Sequence, residues 1–161
     1  MQSMNGETPI VTIHIDNMCV AASSKAEMAR LKHKLRNMFD LVDLGGVHWL
    51  LGIAMTRDRK KCTISLSQHA YIKKIAKCFD LENMFPISTP LDPNVLLSKE
   101  QCPKMEDEKH HMKTTLYLHA IGSLMYAAIG THIDIAYAAQ CLSQFSSIPG
   151  QAHWTAMQWV I

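Results

Sequence analysis

The residues best suited to chemistry lie in one short segment, residues 14–18, which reads His-Ile-Asp-Asn-Met. Alternating apolar runs flank it at 10–13 and 19–22, so we predict two strands joined by a two-residue turn with Asp16 and Asn17 at its tip. A carboxylate at this position could hold a hard divalent cation, because such cations prefer anionic oxygen ligands. Asp and Asn are also ordinary turn residues that tolerate a left-handed backbone. On these residues alone, a plain turn is the favoured interpretation.

Residues 57–61, which read Arg-Asp-Arg-Lys-Lys, form a basic cluster that could contact phosphate groups. They lie between apolar runs at 48–55 and 62–66, which predict the two strands of a second hairpin with the basic cluster as its turn. Gly52 lies inside the first of these strands. A glycine there is typical of a bulge or of close approach by another backbone or ligand, and the bulge is favoured.

A third charged group follows the first hairpin, on a helix that we predict over residues 24–39. Ser24 and Glu27 have capping-box spacing. Apolar residues recur at helical intervals, namely Met28, Leu31, Leu35 and Met38. The opposite face is basic and carries Lys25, Arg30, Lys32, Lys34 and Arg36. A solvated helix surface explains this face without a ligand, and that interpretation is favoured over phosphate binding.

The composition is that of one globular domain. Hydrophobic residues make up 48% of the 161 residues and charged residues 19%, which excludes a disordered chain. The net charge of +2 permits an anionic partner without requiring one. The five cysteines have no paired spacing and the first residues do not form a signal peptide, so we expect an intracellular protein, cytoplasmic or nuclear and not secreted. The longest apolar stretch, 116–130, is too short for a membrane span, and the nine histidines lack the spacing of zinc ligands.

The middle of the chain separates two parts of different character. We predict a helix over 68–79 with Ser67 as its N-cap, and an extended connector at 84–93, which contains three prolines. Residues 98–111 are charged and are predicted to form a loop, the best candidate for a mobile linker. The predicted organisation is therefore residues 1–83, a connector and linker at 84–113, and a helical region at 114–161.

Residues 114–161 are predicted to form three helices. Apolar side chains form a stripe on the first, namely Tyr117, Ile121, Leu124, Met125 and Ala128. Gly122 within this stripe would permit tight helix contact. Thr131 and Asp134 are predicted to open the second helix, and the third is predicted to begin near Gln151. Inward positions on the second are Ile135, Ala138, Leu142 and Phe145.

Both ends of the sequence are unusual for a complete domain. The sequence ends at Ile161 inside an apolar run, without a polar cap. Its first hairpin would need a larger sheet or covering helices for stability. We therefore expect a piece of a longer domain.

The order of motifs along the chain resembles the reverse transcriptase of copia-type LTR retrotransposons, in its C-terminal half. The matching segments begin with Ile-Asp-Asn-Met at 15–18, Asp-Leu-Gly at 43–45 and Leu-Gly-Ile at 51–53. Further matches are Thr-Arg-Asp at 56–58, Leu-Ser-Gln at 66–68, Tyr-Ile at 71–72, Ser-Thr-Pro-Leu-Asp-Pro at 88–93, Gly-Ser-Leu-Met-Tyr at 122–126, Asp-Ile-Ala-Tyr-Ala at 134–138, Pro-Gly at 149–150 and His-Trp at 153–154. Each segment is weak alone, but the ordered series is highly specific.

The resemblance implies an α+β fold, in which a partial polymerase palm of two β-hairpins with an intervening helix precedes a mostly helical, thumb-like region. In the family the first hairpin carries Tyr-x-Asp-Asp, and its aspartates help to bind two Mg²⁺ ions for nucleotide transfer. Asp16 then stands at the position of a metal ligand and Asn17 at the degenerate position of the second. His14 replaces the tyrosine, which contacts the nucleotide.

The resemblance also implies a nucleic-acid partner, an RNA/DNA primer–template duplex. The second hairpin resembles the primer grip, which positions the primer end, and this places Trp49, Leu51 and Gly52 near that end. The basic cluster would contact the duplex backbone through Arg57, Arg59, Lys60 and Lys61.

Departures from the family pattern predict a chain that is inactive by itself. Asn17 keeps the turn but removes a charge, and this sequence has no counterpart of the upstream palm aspartate or of the nucleotide-binding fingers. Residues 131–134 read Thr-His-Ile-Asp where the family usually has Thr-Arg-Pro-Asp. Two alternatives stay open. One is a non-catalytic module that binds the duplex, and the other is a polymerase subunit completed by an upstream segment of the Pol polyprotein.

Overall fold

The computed structural model describes residues 9–85, 87–92 and 94–161. Within them it contains five β-strands, six α-helices and two short 3₁₀ helices, so the predicted α+β class is confirmed. The strands form two separate sheets, one of two strands and one of three. The chain divides into two compact units, Met1–Val47 and His48–Ile161.

The first unit opens with an antiparallel hairpin of β1 (Ile10–His14) and β2 (Asn17–Ala21). Its register pairs His14 with Asn17, so the turn consists of Ile15 and Asp16. The predicted tip of Asp16 and Asn17 was therefore wrong by one residue. The prediction placed the turn by residue type, whereas the pairing of the two apolar runs fixes its position.

Helix α1 (Lys25–Met38) confirms the predicted bounds to within one residue at each end. The amide of Glu27 donates to the Ser24 hydroxyl at 3.2 Å, as the capping spacing predicted. The apolar residues Met28, Leu31 and Leu35 are only half-buried, and Met38 is 72% exposed. The position of α1 in the sequence thus follows from its N-cap and its apolar spacing, and its apolar face is only partly buried.

The second unit begins with an antiparallel sheet in the order β3 (Trp49–Leu50), β4 (Ile53–Asp58) and β5 (Thr63–Ser67). The predicted single strand over 48–55 was wrong, because Leu51 and Gly52 form a two-residue turn between β3 and β4. Their φ angles are +52° and +76°, and a turn of type I′ needs positive φ at both positions. Gly52 therefore serves a turn and not the bulge that was favoured.

The basic cluster lies partly in a strand. Arg57 and Asp58 belong to β4, where they pair with Ile64 and Thr63 of β5. The turn that joins the two strands is residues 59–62, which corrects the predicted turn at 57–61.

Helix α2 (His69–Cys78) follows directly, and Gln68 is its N-cap in place of the predicted Ser67. The Ser67 hydroxyl still accepts a hydrogen bond from the His69 amide at 3.3 Å. The helix buries Ile75 and exposes three lysines, namely Lys73, Lys74 and Lys77.

The predicted loop at 98–111 was wrong. A 3₁₀ turn covers Lys99–Gln101, and helix α3 covers Glu106–Thr114. The Glu108 carboxylate accepts from the amides of Lys104 and Met105 at 3.0 and 3.3 Å, and this caps the start of α3. The acidic first turn of α3 also interacts favourably with the positive end of the helix dipole. The prediction of a loop took these charges as a sign of a solvated segment. Pro86 and Pro93 of the predicted connector lie outside the described residues.

Three further helices follow, α4 (Tyr117–Gly130), α5 (Ala136–Ser143) and α6 (Gln151–Val160). The predicted start of α6 is confirmed. A 3₁₀ turn over Ile133–Ile135, with His132 as its N-cap, precedes α5 where Thr131 was expected to open the helix.

These helices build the hydrophobic core. Its buried members include Tyr117, Ile121, Leu124, Ala128, Ile135, Leu142 and Met157. Two expectations for α4 were wrong, because Met125 is 43% exposed and Gly122 faces open space. A Cβ at Gly122 would meet nothing within 4 Å, so that glycine permits no tight contact. In the described part of the chain, no helix is long and apolar enough to cross a membrane.

Candidate nucleic-acid interface and metal position

The metal position predicted from the sequence lies at the tip of the first hairpin. Asp16 is in the turn, His14 and Asn17 pair across its base, and all three are exposed. The neighbours of Asp16 along the chain, Ile15 and Asn17, carry no charge. The described residues contain no group of three His, Cys, Asp or Glu side chains that could hold a metal ion. A pair of Mg²⁺ ions needs several anionic oxygens, so this donor set does not fit such a pair.

The basic face of α1 is partly neutralised within its own unit. The Asp43 carboxylate pairs with Lys32 at 2.9 Å and with Arg36 at 3.2 Å. Hydrogen bonds from Lys32 and from the Gly45 amide hold the pKa of Asp43 below its usual value. Arg30 lies 3.9 Å from the Glu27 carboxylate. Three of the five cations on this face thus have acidic partners.

The basic cluster of the second unit differs from that face. Its cations are exposed, and none pairs with an acidic side chain among the residues that the structure describes; they are Arg57, Arg59, Lys60 and Lys61. The one carboxylate of the cluster, Asp58, accepts from the backbone amides of Lys60 and Lys61 at 2.9 and 3.1 Å. Asp58 therefore orders the turn that carries the cations, and three net positive charges remain.

Three further candidates, Trp49, Leu51 and Gly52, lie at the opposite end of β4. Trp49 is 56% exposed and Leu51 is 47% exposed, so both present apolar surface to solvent beside the Leu51–Gly52 turn. The two ends of β4 are separated by about 17 Å, given the rise of an antiparallel strand. The sheet thus has an aromatic and apolar end and a cationic end, at opposite ends of β4.

Several residues around the Leu51–Gly52 turn were not predicted as functional. The Tyr126 hydroxyl donates to the Leu51 carbonyl, which ties the turn to α4. Gln68 is buried, donates through Nε2 to the Tyr126 carbonyl at 3.5 Å and accepts from the Thr131 hydroxyl at 2.8 Å. Gln68 and Tyr126 lie inside motifs that carried the family resemblance, and this was the available signal. Pattern alone could not show their contacts, which join residues far apart in sequence.

His153, which lies in another matching motif, packs inside the protein and makes structural contacts. It is buried, its Nδ1 accepts from the Gly150 amide at 2.9 Å, and its ring stacks on Phe145 at 3.9 Å. Nε2 therefore carries the proton and donates to the Ser98 carbonyl at 3.2 Å. Burial lowers the pKa of His153, and the hydrogen bond to Ser98 opposes this shift only in part.

The candidate residues fall into two groups. The structure places His14, Asp16 and Asn17 in the first compact unit. It places the remaining candidates in the second unit, on its three-stranded sheet and in the turns at opposite ends of β4, namely Trp49, Leu51, Gly52, Arg57, Arg59, Lys60 and Lys61.

Comparison with known proteins identifies the family. The sequence profile described as "Reverse transcriptase (RNA-dependent DNA polymerase)" matches residues 2–93. The chain is 38% identical over 152 residues to the retrovirus-related Pol polyprotein from transposon TNT 1-94 of Nicotiana tabacum, covering 94% of this chain and 11% of that protein. It is 28% identical over 149 residues to the Pol polyprotein from transposon RE1 of Arabidopsis thaliana, covering 92% of this chain and 10% of the polyprotein.

A third relative is much shorter. A transposon Ty5-1 protein of Saccharomyces cerevisiae is 28% identical over 143 residues, covering 89% of this chain and 44% of that protein. The chain thus spans about a tenth of the length of the two polyproteins and less than half of the yeast protein. No solved structure matches significantly. The chain belongs to the reverse transcriptase family, and the predicted resemblance to its copia-type members is confirmed.

Proposed function

We propose that this member of the reverse transcriptase family holds an RNA/DNA primer–template duplex but does not catalyse nucleotide transfer on its own. The observation that carries the proposal is the donor set of the first hairpin, in which Asp16 stands between the uncharged Ile15 and Asn17. Transfer by the two-metal route requires Mg²⁺ ions that clamp both the attacking and the leaving oxygens. An amide oxygen at Asn17 can contact such an ion but cannot neutralise it.

This proposal assigns roles to the elements. The β1–β2 hairpin and α1 correspond to part of the palm, and the sheet of β3 to β5 corresponds to the primer grip. The helices from residue 114 onward correspond to the thumb, with residues 84–113 as the connection. Asp16 is then the remaining ligand position for Mg²⁺, Asn17 the lost one, and His14 takes the place of the family tyrosine.

Primer extension tests the absence of catalysis. The purified chain is incubated with oligo-dT on a poly-rA template, deoxythymidine triphosphate, and Mg²⁺ or Mn²⁺. We expect no incorporation by the unchanged chain or by Asn17→Asp, because two carboxylates in one hairpin still supply fewer anionic oxygens than a pair of Mg²⁺ ions needs. Incorporation that Asp16→Ala abolishes would contradict the proposal. Activity that appears only on co-expression with an upstream Pol segment would instead support the subunit alternative.

Duplex binding rests on a separate observation, the exposed cations at the end of β4. These have no acidic partner in the described parts of the chain, whereas most cations on α1 do. Cations that neutralise phosphates release counterions, so binding should weaken steeply with salt. The exposed indole of Trp49 adds a surface on which a base or sugar could stack.

A matched pair of variants tests this assignment by fluorescence anisotropy with a labelled RNA–DNA hybrid. One variant combines Arg59→Gln, Lys60→Gln and Lys61→Gln. Its control makes the same change at three exposed lysines of α2, namely Lys73, Lys74 and Lys77. Loss of three phosphate contacts should reduce the slope of log K against log salt by about 2 to 3, and the control should change it by less than about 1. Equal slopes in the two variants, or no binding by the unchanged chain, would contradict the proposal.

A further inference from the structure

The Leu51–Gly52 turn adopts a backbone that its first residue does not favour. Leu51 has a φ of +52°, a left-handed conformation that is unfavourable for an L-residue with a side chain. The strand before it, β3, has only two residues, and they pair with Ala54 and Ile53. So short an edge strand supplies little pairing to hold the turn. Another contact must therefore help to stabilise the conformation of the Leu51–Gly52 turn.

That contact comes from α4. The Tyr126 hydroxyl donates to the Leu51 carbonyl, and a Cβ at Gly52 would lie 3.8 Å from the same oxygen atom. The tyrosine hydroxyl therefore bonds to the first residue of the turn and lies beside the second, at a sequence separation of 75 from Leu51. This hydrogen bond connects α4 to the turn of the hairpin.

Tyr126 is itself held firmly. Its ring packs edge-on against Tyr71 of α2 with centroids 5.0 Å apart, and the Tyr71 hydroxyl donates to the Ser123 carbonyl at 3.4 Å. The buried Gln68 binds the Tyr126 carbonyl on one side and Thr131 on the other. Gly130 leaves room for Gln68, since a Cβ there would lie 2.5 Å from Gln68 Oε1. Helices α2 and α4 thus form a rigid base for the tyrosine.

We propose that Tyr126 is a positioning residue for duplex binding, because its hydroxyl fixes the turn that presents Trp49 and Leu51. This inference rests on the proposed function and deepens it. The cationic end of β4 supplies attraction to any nucleic-acid backbone. The turn held by Tyr126 sets where the apolar end meets the duplex, and fixing that geometry before binding lowers the ordering cost of the complex.

The test compares Tyr126→Phe with Tyr71→Phe. Each change removes one hydroxyl that donates to a backbone carbonyl, and both leave the ring pair in place. Of these two hydroxyls, that of Tyr126 bonds to the turn and that of Tyr71 bonds to the Ser123 carbonyl of α4. We expect Tyr126→Phe to weaken Kd for the RNA–DNA hybrid by about three- to tenfold, the range of one hydrogen bond, and Tyr71→Phe by less than twofold. The slope of log K against log salt should stay the same in both, because no cation is lost.

Hydrogen exchange gives the readout that a general loss of stability would not. The amides of residues 51–53 should exchange faster in Tyr126→Phe, while those of β5 and α4 keep the rate of the unchanged chain. Equal Kd values for the two variants and the unchanged chain would overturn the positioning role and leave duplex binding intact. No binding by the unchanged chain would overturn both.

A second variant covers the case in which Tyr126→Phe fails to fold. Gly52→Ala keeps Tyr126 but places a side chain at a φ of +76°, which strains the same turn. The positioning role predicts weaker binding with an unchanged salt slope for this variant also. A Gly52→Ala chain that folds and binds as tightly as the unchanged chain would overturn the role.

Discussion

The two compact units of this chain contain similar hairpins but support them differently. In the first unit Glu27 is the one buried side chain among the described residues, and Ile13 and Ile15 of the hairpin are 69% and 81% exposed. The second unit contains a hydrophobic core of buried residues from α4, the 3₁₀ turn at Ile133–Ile135, α5 and α6. The turn of the second hairpin receives a hydrogen bond from α4. No side chain from outside the first hairpin donates to its turn, within the part of the chain described.

The predicted metal position and the best-supported hairpin therefore lie in different units of the chain. A lone hairpin is marginal in water unless it joins a larger sheet or packs on helices. The hairpin that carries Asp16 has the weaker support, while the hairpin that we assign to duplex binding has the stronger. The same contrast holds for charge, since three of the five cations on the basic face of α1 have acidic partners, whereas the cations beside β4 have none among the described residues.

The largest expected effect separates the two units by stability. Leu142 is fully buried in the core, so Leu142→Ala should lower the free energy of unfolding by about 2–5 kcal/mol. Ile13→Ala, at an exposed position of the first hairpin, should change it by less than about 0.5 kcal/mol. Urea denaturation of both variants measures the difference. Equal losses would show that the first hairpin is also buried in solution.

The two turns should respond to substitution with opposite signs. Gly52→Ala forces a side chain into the left-handed region and should cost about 1 kcal/mol. Ile15 already has a φ of +51°, a poor conformation for a β-branched residue, so Ile15→Asn should be neutral or stabilising by about 0.5–1 kcal/mol. Thermal unfolding of the two variants gives the comparison. Destabilisation by Ile15→Asn would contradict the turn position described for the first hairpin.

The core should also respond to pH through His153. Its pKa in the folded state is lowered by burial, so the unfolded state binds more protons once the pH falls below the ordinary value of 6.5. The free energy of unfolding should therefore be highest above that value and decrease as the pH falls toward about 5. His153→Gln should reduce this slope. Denaturant unfolding of the variant and of the unchanged chain at several pH values measures the slope, and equal slopes in the two would refute the assignment.

The smallest effect is expected on the basic face of α1. Combining Lys32→Gln with Arg36→Gln removes two cations that already pair with Asp43. This change should alter the Kd for an RNA–DNA hybrid by less than about threefold at physiological salt, because exposed ion pairs contribute little and these charges are partly neutralised. Anisotropy titration measures it. A loss of affinity as large as that of the Arg59, Lys60 and Lys61 variant would indicate that α1 also binds the duplex.

The sequence predicted the elements better than their edges. Helix α1 followed from its cap and its apolar spacing, and α6 begins at Gln151, where it was predicted to begin. The turn of the first hairpin was misplaced because polar residue type was weighed above strand register, and Asp16 still lies within it. Helix α3 was missed because Glu108 caps it through backbone amides, a contact that charge density does not reveal.

The candidate residues could be selected from the sequence, but their arrangement could not. The strand and turn pattern indicated Asp16, Asn17 and the second hairpin, and the resemblance supplied their expected roles, because short motifs are local in sequence. The support of that hairpin by Gln68 and Tyr126 depends on contacts between residues more than 50 positions apart. Such contacts follow from the packing of α2 and α4, which no local pattern encodes.

One incubation tests the central claim most directly. The purified chain is mixed with an end-labelled primer on an RNA template, Mg²⁺ and all four deoxynucleotides, and each sample is run on a native and on a denaturing gel. The account predicts a retarded complex in the native gel and a primer of unchanged length in the denaturing gel. A lengthened primer that disappears with Asp16→Ala, or the absence of any retarded complex at low salt, would contradict it.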